Sequence, residues 1–443
     1  MSSTTARAVP LAYGGYHARQ TGEPDHLLCQ VGRGTPGGEY LRRFWQPLAY
    51  ETELGEVPLR VRALSEDLVV FRDGSGRIGV LHLHCCHRNS SLEYGVIEER
   101  GLRCCYHGRL FDVDGTIIDM PGEPAAERLM KSTSQGAYPV QCFGGIVFAY
   151  LGPPDRVPVF PMYDRFDLPG VTIVPGIRFK QDCNWIQIKE NTVDPHHTHV
   201  LHVIPQLRGM EHFAPEFGEF PVFAFTETSA GVGYLAARRV GDKVWVRSAE
   251  TIGSNLHAIS SIFESGRECK QASPPFMTIW ALPVDDDHTM TFYLSHVVAG
   301  EPMPFDKRRF LEVFGQNDDR PYRERQWLPG DHDAQVGQGA INVHETEHLG
   351  TNDRGVVLFR RYVRRGIEAV RAGRDPEGFY LSQADVPSTF ANDRVVDAAE
   401  VTQAVGDEGE DRDVLLRFSE HLAREYRIRP AMAYLKEGSQ NRS

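Results

Sequence analysis

Hydrophobic and polar positions alternate in short runs through two separate stretches of the chain. The first stretch holds LRVRAL, DLVVFRD, RIGVLHL, FDVD with TIID, and GIVFAYLG, broken at Asp73-Gly74 and Asp114-Gly115. Period-two runs closed by Gly-Asp turns predict a small antiparallel domain. The second stretch, residues 218–300, reads FPVFAFTET, GVGYLAARR, KVWVRSAE, FMTIWALP and TMTFYLSHVV, and predicts a curved antiparallel sheet. Pro153, Pro154, Pro158 and Pro161 make a stiff link between the two. Helical spacing appears elsewhere. Residues 27–60 begin as a helical lead-in and run through a loop into strands. Val356, Phe359, Val363, Ile367 and Val370 fall on one helix face, with Arg360, Arg361, Arg364 and Arg365 mostly outside. A last amphipathic helix, from about Val414 to Tyr426, follows the acidic run GDEGEDRD, which predicts a solvated linker. The expected fold is α+β in three parts: residues 1–44 as lead-in, 45–155 as the small β domain, and 156–443 as a larger domain with C-terminal helices.

Composition narrows the class. A chain of 443 residues exceeds one average domain and has ample apolar content for real cores. Its net charge of −12 argues against nucleic acid or an anionic membrane as the main partner. No apolar run approaches the roughly 20 residues that a spanning helix needs. The opening MSSTTARAVPLAYGG lacks an apolar core of signal-peptide length, so a soluble cytoplasmic protein is expected. Eight cysteines in so long a chain do not suggest a disulfide framework, and four of them lie between His84 and Asp112.

Those four sit in HCCHRNSSLEYGVIEERGLRCCYHGRLFD, which holds two pairs, Cys85-x-His87 and Cys104-x-x-His107, sixteen residues apart. Two thiolates and two imidazoles in this order fit a [2Fe–2S] centre with sulfur on one iron and nitrogen on the other. Zinc is the plainer alternative, but its common sites pair cysteine with cysteine and histidine with histidine. Cys86 and Cys105 adjoin ligands and are read as spacers, because neighbours on a tight loop cannot both face one cluster. A disulfide between them is disfavoured in a reducing compartment.

A second concentration of ligands lies in NWIQIKENTVDPHHTHVLH, residues 184–202. Asp194, His197 and His202 supply the residue types of a 2-His-1-carboxylate site for non-haem Fe(II). Asp194-Pro195 predicts an N-cap and first helical proline. The five-residue step from His197 to His202 requires an irregularity, and His196 and His199 compete as ligands. Two further motifs carry less. Gly32–Gly37 matches a bare GxGxxG string but lacks its βαβ setting. His344-Glu345-Thr346-Glu347-His348 matches HExxH, yet Leu349-Gly350 follow at once, against the mid-helix position a zinc peptidase needs. Asp353 stands at the start of the long helix, where an N-cap and a metal ligand are equally open. Phe223, Phe225, Trp245, Trp280 and Phe292 are aromatic candidates for a pocket, although most strand aromatics are core. Register leaves open whether Arg239 or Arg247 faces inward. Arg247 is the candidate for a substrate carboxylate, which a guanidinium recognises bidentately.

The ligand stretch resembles the Rieske domain of aromatic ring-hydroxylating oxygenases, whose signature is close to CPHRG…CxYHGW. Arg88, Tyr106 and Gly108 match along with the four ligands, while Cys86, Cys105, Asn89 and Arg109 depart from it. Glu190, Asn191, Asp194, His197 and His202 match ENxxDxxHxxxxH of the same family, and EHLGTNDRG resembles a segment of its phthalate-dioxygenase branch. The resemblance implies a large (alpha) subunit with a helix-grip, START-like catalytic domain. It implies a [2Fe–2S] cluster on Cys85, His87, Cys104 and His107, and mononuclear Fe(II) on His197, His202 and Asp353. Asn191 and Asp194 become the catalytic candidates, Asp194 bridging to His107 of a neighbour in a homotrimer. It further implies O2 as co-substrate, a small aromatic substrate, an aromatic acid by branch, and electrons from a separate flavin and iron–sulfur reductase, with or without a ferredoxin. The reaction would be hydroxylation, dihydroxylation or O-demethylation. Its rivals are a Rieske electron carrier without oxygenase activity and an HExxH metallopeptidase.

Overall fold

In the computed structural model, residues 12, 13, 15, 22–208, 214–261, 264–300 and 320–440 are described. The lead-in is two short helical turns. Asp25 caps His26–Cys29 through its carboxylate, and the Thr35 hydroxyl caps Pro36–Leu41 by accepting from the Gly38 N–H. The GxGxxG string is therefore a loop and helix start, with proline at a position whose N–H needs no partner.

Three small antiparallel sheets follow. One has the order β1 (Trp45–Tyr50), β10 (Ile146–Tyr150), β9 (Val140–Phe143). The next joins β2 (Leu59–Ala63), β3 (Glu66–Arg72) and β4 (Ile78–His82) in sequence. The last runs β5 (Val96–Ile97), β6 (Leu102–Arg103), β7 (Leu110–Phe111) and β8 (Ile117–Asp119). Leu64 and Ser65 turn β2 into β3 with φ of 50° and 64°. Two positive φ values suit the right-handed twist of a two-residue hairpin but are costly for Leu. The turn is held because its N–H groups donate to Pro283 and Val284 of the larger sheet, and Leu64 is fully buried.

The larger sheet has the order β11 (Val171–Gln181), β17 (His288–Val298), β16 (Met277–Asp285), β15 (Leu256–Ile259), β14 (Lys243–Ile252), β13 (Gly231–Val240), β12 (Val222–Glu227), with β18 (Asp393–Asp397) also on β14. Register fixes its two faces. Ala236 pairs with Arg247, Thr251 with His257, His257 with Ile279, and Ile279 with Tyr293. Side chains alternate across a strand, so Tyr234, Arg247, His257, Ile279 and Tyr293 share one face. The opposite face carries Leu235, Ala237, Val244, Val246 and Val396, packed beneath Leu415, Phe418 and Leu422 of the helix Asp411–Ile428. That helix begins inside the acidic run, so Asp411, Arg412 and Asp413 belong to its first turn and not to a linker.

A single apolar core joins both sheet systems, from Leu28 and Tyr40 through Phe148 to Trp185, Trp280, Phe292 and Phe359. The helix Arg354–Arg371 buries the expected face, but its arginines are not simply solvated. Arg360 turns inward, Arg364 pairs with Asp25 and Arg365 with Glu227. Its Gly366 lies against Tyr40, where an added Cβ would stand 2.2 Å from the ring. Gly366→Ala gains helix propensity worth about 1 kcal/mol, yet Tyr40 is fully buried and cannot retreat. Overpacking, typically about 1–3 kcal/mol, should win, so denaturant unfolding is expected to show a net loss of stability. An unchanged or raised midpoint would contradict that contact.

Candidate metal centres and substrate pocket

The two cluster loops are built alike. Cys85 N–H donates to Ser90 O at 2.9 Å and Cys104 N–H to Arg109 O at 2.8 Å. Four residues on, Asn89 N–H donates to Cys85 O and Gly108 N–H to Cys104 O. Both closing residues need the left-handed region, φ 59° at Asn89 and 74° at Gly108. Asparagine is the side chain that best tolerates it after glycine, which explains the departure at Asn89. The result sends Cys85 and Cys104 into the interior and leaves His87 and His107 exposed, with ring centroids 4.6 Å apart.

Sulfur inward and nitrogen outward is the division a cluster with one all-sulfur and one imidazole-bound iron requires. Among the described residues, the one set of three or more ligand atoms lying within 4.8 Å of one another is elsewhere, so these four are spread too widely for one small ion. Gln135 is a holding residue that the pattern gave no sign of. Its amide donates to the His82 and His84 carbonyls and its oxygen accepts from Cys86 N–H. All eight cysteines are free, Cys86 and Cys105 included. Arg109 brings a guanidinium nitrogen within 4.0 Å of Cys86 Sγ, beside the cluster ligands. A fixed cation there favours the more negative, reduced state, so Arg109→Trp should lower the midpoint potential in a spectroelectrochemical titration. A potential that holds or rises would refute this effect.

The second constellation grows from the helix Trp185–Asn191, capped by Asn184, and the turn Pro195–Thr198, capped by Asp194. Asp194 accepts from the His196 and His197 N–H groups, and its other oxygen lies 3.5 Å from His197 Nδ1. Burial would raise this carboxyl, but its contacts with the His197 ring and the two amides hold it below the usual range. With Nδ1 turned to Asp194, Nε2 of His197 is the nitrogen that faces Asp331, as in the second-sphere arrangement common to metal-bound histidine. The turn ends at His199, and the chain bends so that the His197 and His202 rings come to 5.4 Å between centroids. His196 turns away to Asn352 and Phe220, while His199 stacks on Phe217.

The carboxylate that meets these rings is Asp331, with Oδ1 3.5 Å from His197 Nε2 and 3.4 Å from His202 Nε2. The expected third ligand, Asp353, stands outside the group. It stands at the mouth of its helix without capping it, and its carboxylate instead closes the preceding Thr351–Asp353 turn by accepting from the Gly350 N–H at 2.5 Å. Asp331 lies in GDHDAQVG, a stretch without ligand spacing that the motifs did not flag. Two imidazoles and a carboxylate on one side fit mononuclear iron with positions left open. Asp331→Ala should abolish mononuclear iron in metal analysis while the cluster's visible spectrum persists. Asp353→Ala should keep that iron and cost only about 1 kcal/mol as a lost hydrogen bond to the Gly350 N–H. The reverse pattern would return the ligand role to Asp353.

The Rieske [2Fe-2S] domain family model matches residues 44–143. The chain is 40% identical over 388 residues to the tert-butanol monooxygenase / tert-amyl alcohol desaturase oxygenase subunit of Aquincola tertiaricarbonis, covering 82% of this chain and 81% of that one. It is 37% identical to phenoxybenzoate dioxygenase subunit alpha of Ectopseudomonas oleovorans, over 87% of this chain and 95% of the relative. It is 31% identical to the phthalate 4,5-dioxygenase oxygenase subunit of Pseudomonas putida, over 84% and 91%. The chain belongs to the Rieske non-haem iron oxygenases, as an alpha subunit. Dicamba monooxygenase bound to dicamba shares the fold at a TM-score of 0.53 and 19% identity, over 75% of this chain and 99% of that one. The protein is thus the terminal oxygenase of a multicomponent system, with a [2Fe–2S] cluster, mononuclear iron and O2, and electrons from a separate reductase or ferredoxin. The electron-carrier and peptidase alternatives have no support. His344–Thr346 is a single 3₁₀ turn, and the segment instead binds the lead-in, with Glu345 accepting from Glu23 N–H and His344 from Asp25 N–H.

In the oxygenase, His197, His202 and Asp331 open onto a cavity of about 90 Å³. Ile188, Ile259, Met277 and Ile279 form its apolar walls, and Asn191, Tyr234, Arg247 and His257 its polar ones. Arg247 is 1% exposed and anchored through the Ser260 and Ser261 carbonyls. Arg239, one residue off register, points outward to Asp411. None of the five aromatic candidates lines this cavity. Trp280 and Phe292 face the core, Trp245 packs on Phe217, and Phe223 and Phe225 edge a separate groove near Asn352. Among the described residues, no helix is long and apolar enough to cross a membrane.

Proposed function

We propose that this oxygenase acts on a small aromatic carboxylate, by hydroxylation, dihydroxylation or O-demethylation. The observation that carries the reading is Arg247, a buried guanidinium at the wall of the cavity beside the metal trio. Buried arginine favours a planar anion, which it meets with two parallel hydrogen bonds. The relatives named for phenoxybenzoate and phthalate handle aromatic acids. When bound, the two iron centres supply single-electron transfer and the activation of O2. This chain's residues do the rest. Arg247 orients the acid, Ile188, Ile259, Met277 and Ile279 hold the ring dry, and Asp194 fixes the His197 tautomer. His197, His202 and Asp331 are the residues that would hold the mononuclear iron, and Cys85, His87, Cys104 and His107 the cluster.

A second reading is a branched aliphatic alcohol. A relative at 40% identity is named for tert-butanol, and the cavity of about 90 Å³ is small. It falls below the roughly 150 Å³ known to take benzene, so a ring needs side-chain adjustment that a small branched alcohol does not. Oxygen uptake and formaldehyde release, measured with a compatible reductase over benzoates, methoxybenzoates and tert-butanol, separate the readings. Uptake confined to tert-butanol would overturn the aromatic one.

The reading extends to architecture. It takes residues 45–155 as the cluster domain and 156–443 as the catalytic domain of a cytoplasmic homotrimer. In that trimer Asp194 of one subunit meets His107 of the next, which fits the exposure of His107 and the half-buried position of Asp194. Asp194→Ala should retain the cluster spectrum and the mononuclear iron but lose turnover by orders of magnitude. Near-normal turnover in that variant would sink the bridge.

A further inference from the structure

Arg247 accounts for one polar wall of the cavity, and His257 stands at another without a role. It lies on β15, 5% exposed, and lines the cavity. Its Nδ1 is 3.1 Å from the Glu250 carbonyl oxygen. A carbonyl can only accept, so Nδ1 must carry the proton. Burial drives the ring's pKa well below its ordinary value, and the neighbouring Lys189, Arg165 and Arg247 push the same way, the Glu250 contact opposing them. The ring is therefore neutral, and its Nε2 is an acceptor fixed by the backbone. Arg247 is a fixed donor, since two of its nitrogens are tied to Ser260 and Ser261. The two are set apart by the strand. Ser260, which holds the guanidinium, is three residues beyond His257 and just past the end of β15, about 10 Å along extended chain.

We propose that His257 is a specificity residue whose Nε2 accepts a hydrogen bond from a hydroxyl of the substrate, remote from the carboxylate that Arg247 receives. The substrate class is then a monocyclic aromatic acid with a 3- or 4-hydroxyl, and a 2-hydroxyl is excluded because it sits beside the carboxylate. This rests on the aromatic-carboxylate reading, with which it shares Arg247. The physical drive is the cost of a buried acceptor without a partner: a ring lacking the hydroxyl leaves Nε2 unmet in a cavity walled by Ile188, Ile259 and Ile279.

The test is anaerobic equilibrium binding to the reduced holoenzyme of benzoate and of 2-, 3- and 4-hydroxybenzoate, with no turnover required. The 3- or 4-hydroxy acid should bind about tenfold or more tighter than benzoate, and 2-hydroxybenzoate should show no such gain. His257→Leu should erase the preference with little change for benzoate. His257→Gln, whose amide oxygen can still accept, should keep part of it and guards against a folding defect in the leucine variant. Equal binding of all four acids, or a preference that survives in His257→Leu, overturns the proposal. Arg247→Gln distinguishes the two readings: it should weaken every acid alike, and if it weakens none, the carboxylate reading fails as well.

Discussion

The mononuclear centre depends on one carboxylate reaching two imidazoles from a distant part of the chain. His197 lies on a turn that Asp194 caps and His202 just beyond it, but Asp331 comes from a separate helix, Asp331–Val336. Its helix, Asp331–Val336, is short and has little hold of its own. Tertiary contacts supply the hold. Gln187, on the helix that leads to Asp194, donates to the Gln335 and Gly339 carbonyls, and Gln181 of β11 meets the Gln335 side chain. Asp333 binds Arg320 and Arg325 from the preceding segment. The ligand and the elements that aim it thus form one hydrogen-bonded unit.

A buried ion pair braces the same helix from behind. Arg360 reaches Glu190 and Glu347 together, so the helix carrying Asn191, the long helix and the loop before it are locked at one point. Burial of Glu190 raises its carboxyl even against this guanidinium, which marks how dry the site is. Removing one member would leave an uncompensated charge, a loss of about 3–5 kcal/mol in buried pairs. This explains why an arginine from a polar helix face points inward.

The cluster loops solve a different problem with local means. Each needs only a tight turn with a left-handed closing residue, and each carries its own ligands. Gln135 adds one tertiary clamp. Their chemistry was accordingly plain in the linear order of residues, down to the asparagine that replaces glycine at one closing position.

The same contrast divides what was legible in the sequence. Period-two runs gave the strands, helical spacing gave the face Val356–Ile367, and Asp194-Pro195 gave the turn that carries His197, because each rests on neighbours in the chain. Family resemblance supplied the oxygenase class. The carboxylate that meets the two imidazoles, the cavity lining and the inward arginine were decided by tertiary structure. Asp331 has no local signature, since only folding brings its carboxylate to the two imidazoles. Asp353 looked equivalent, but its carboxylate closes the turn before its helix and stands apart from the imidazoles. Arg247 and Arg239 could not be told apart until pairing with Ala236 and Val244 set which face each occupies. A one-residue slip of register reverses every such assignment, which is why a strand's sequence predicts its pattern but not its direction.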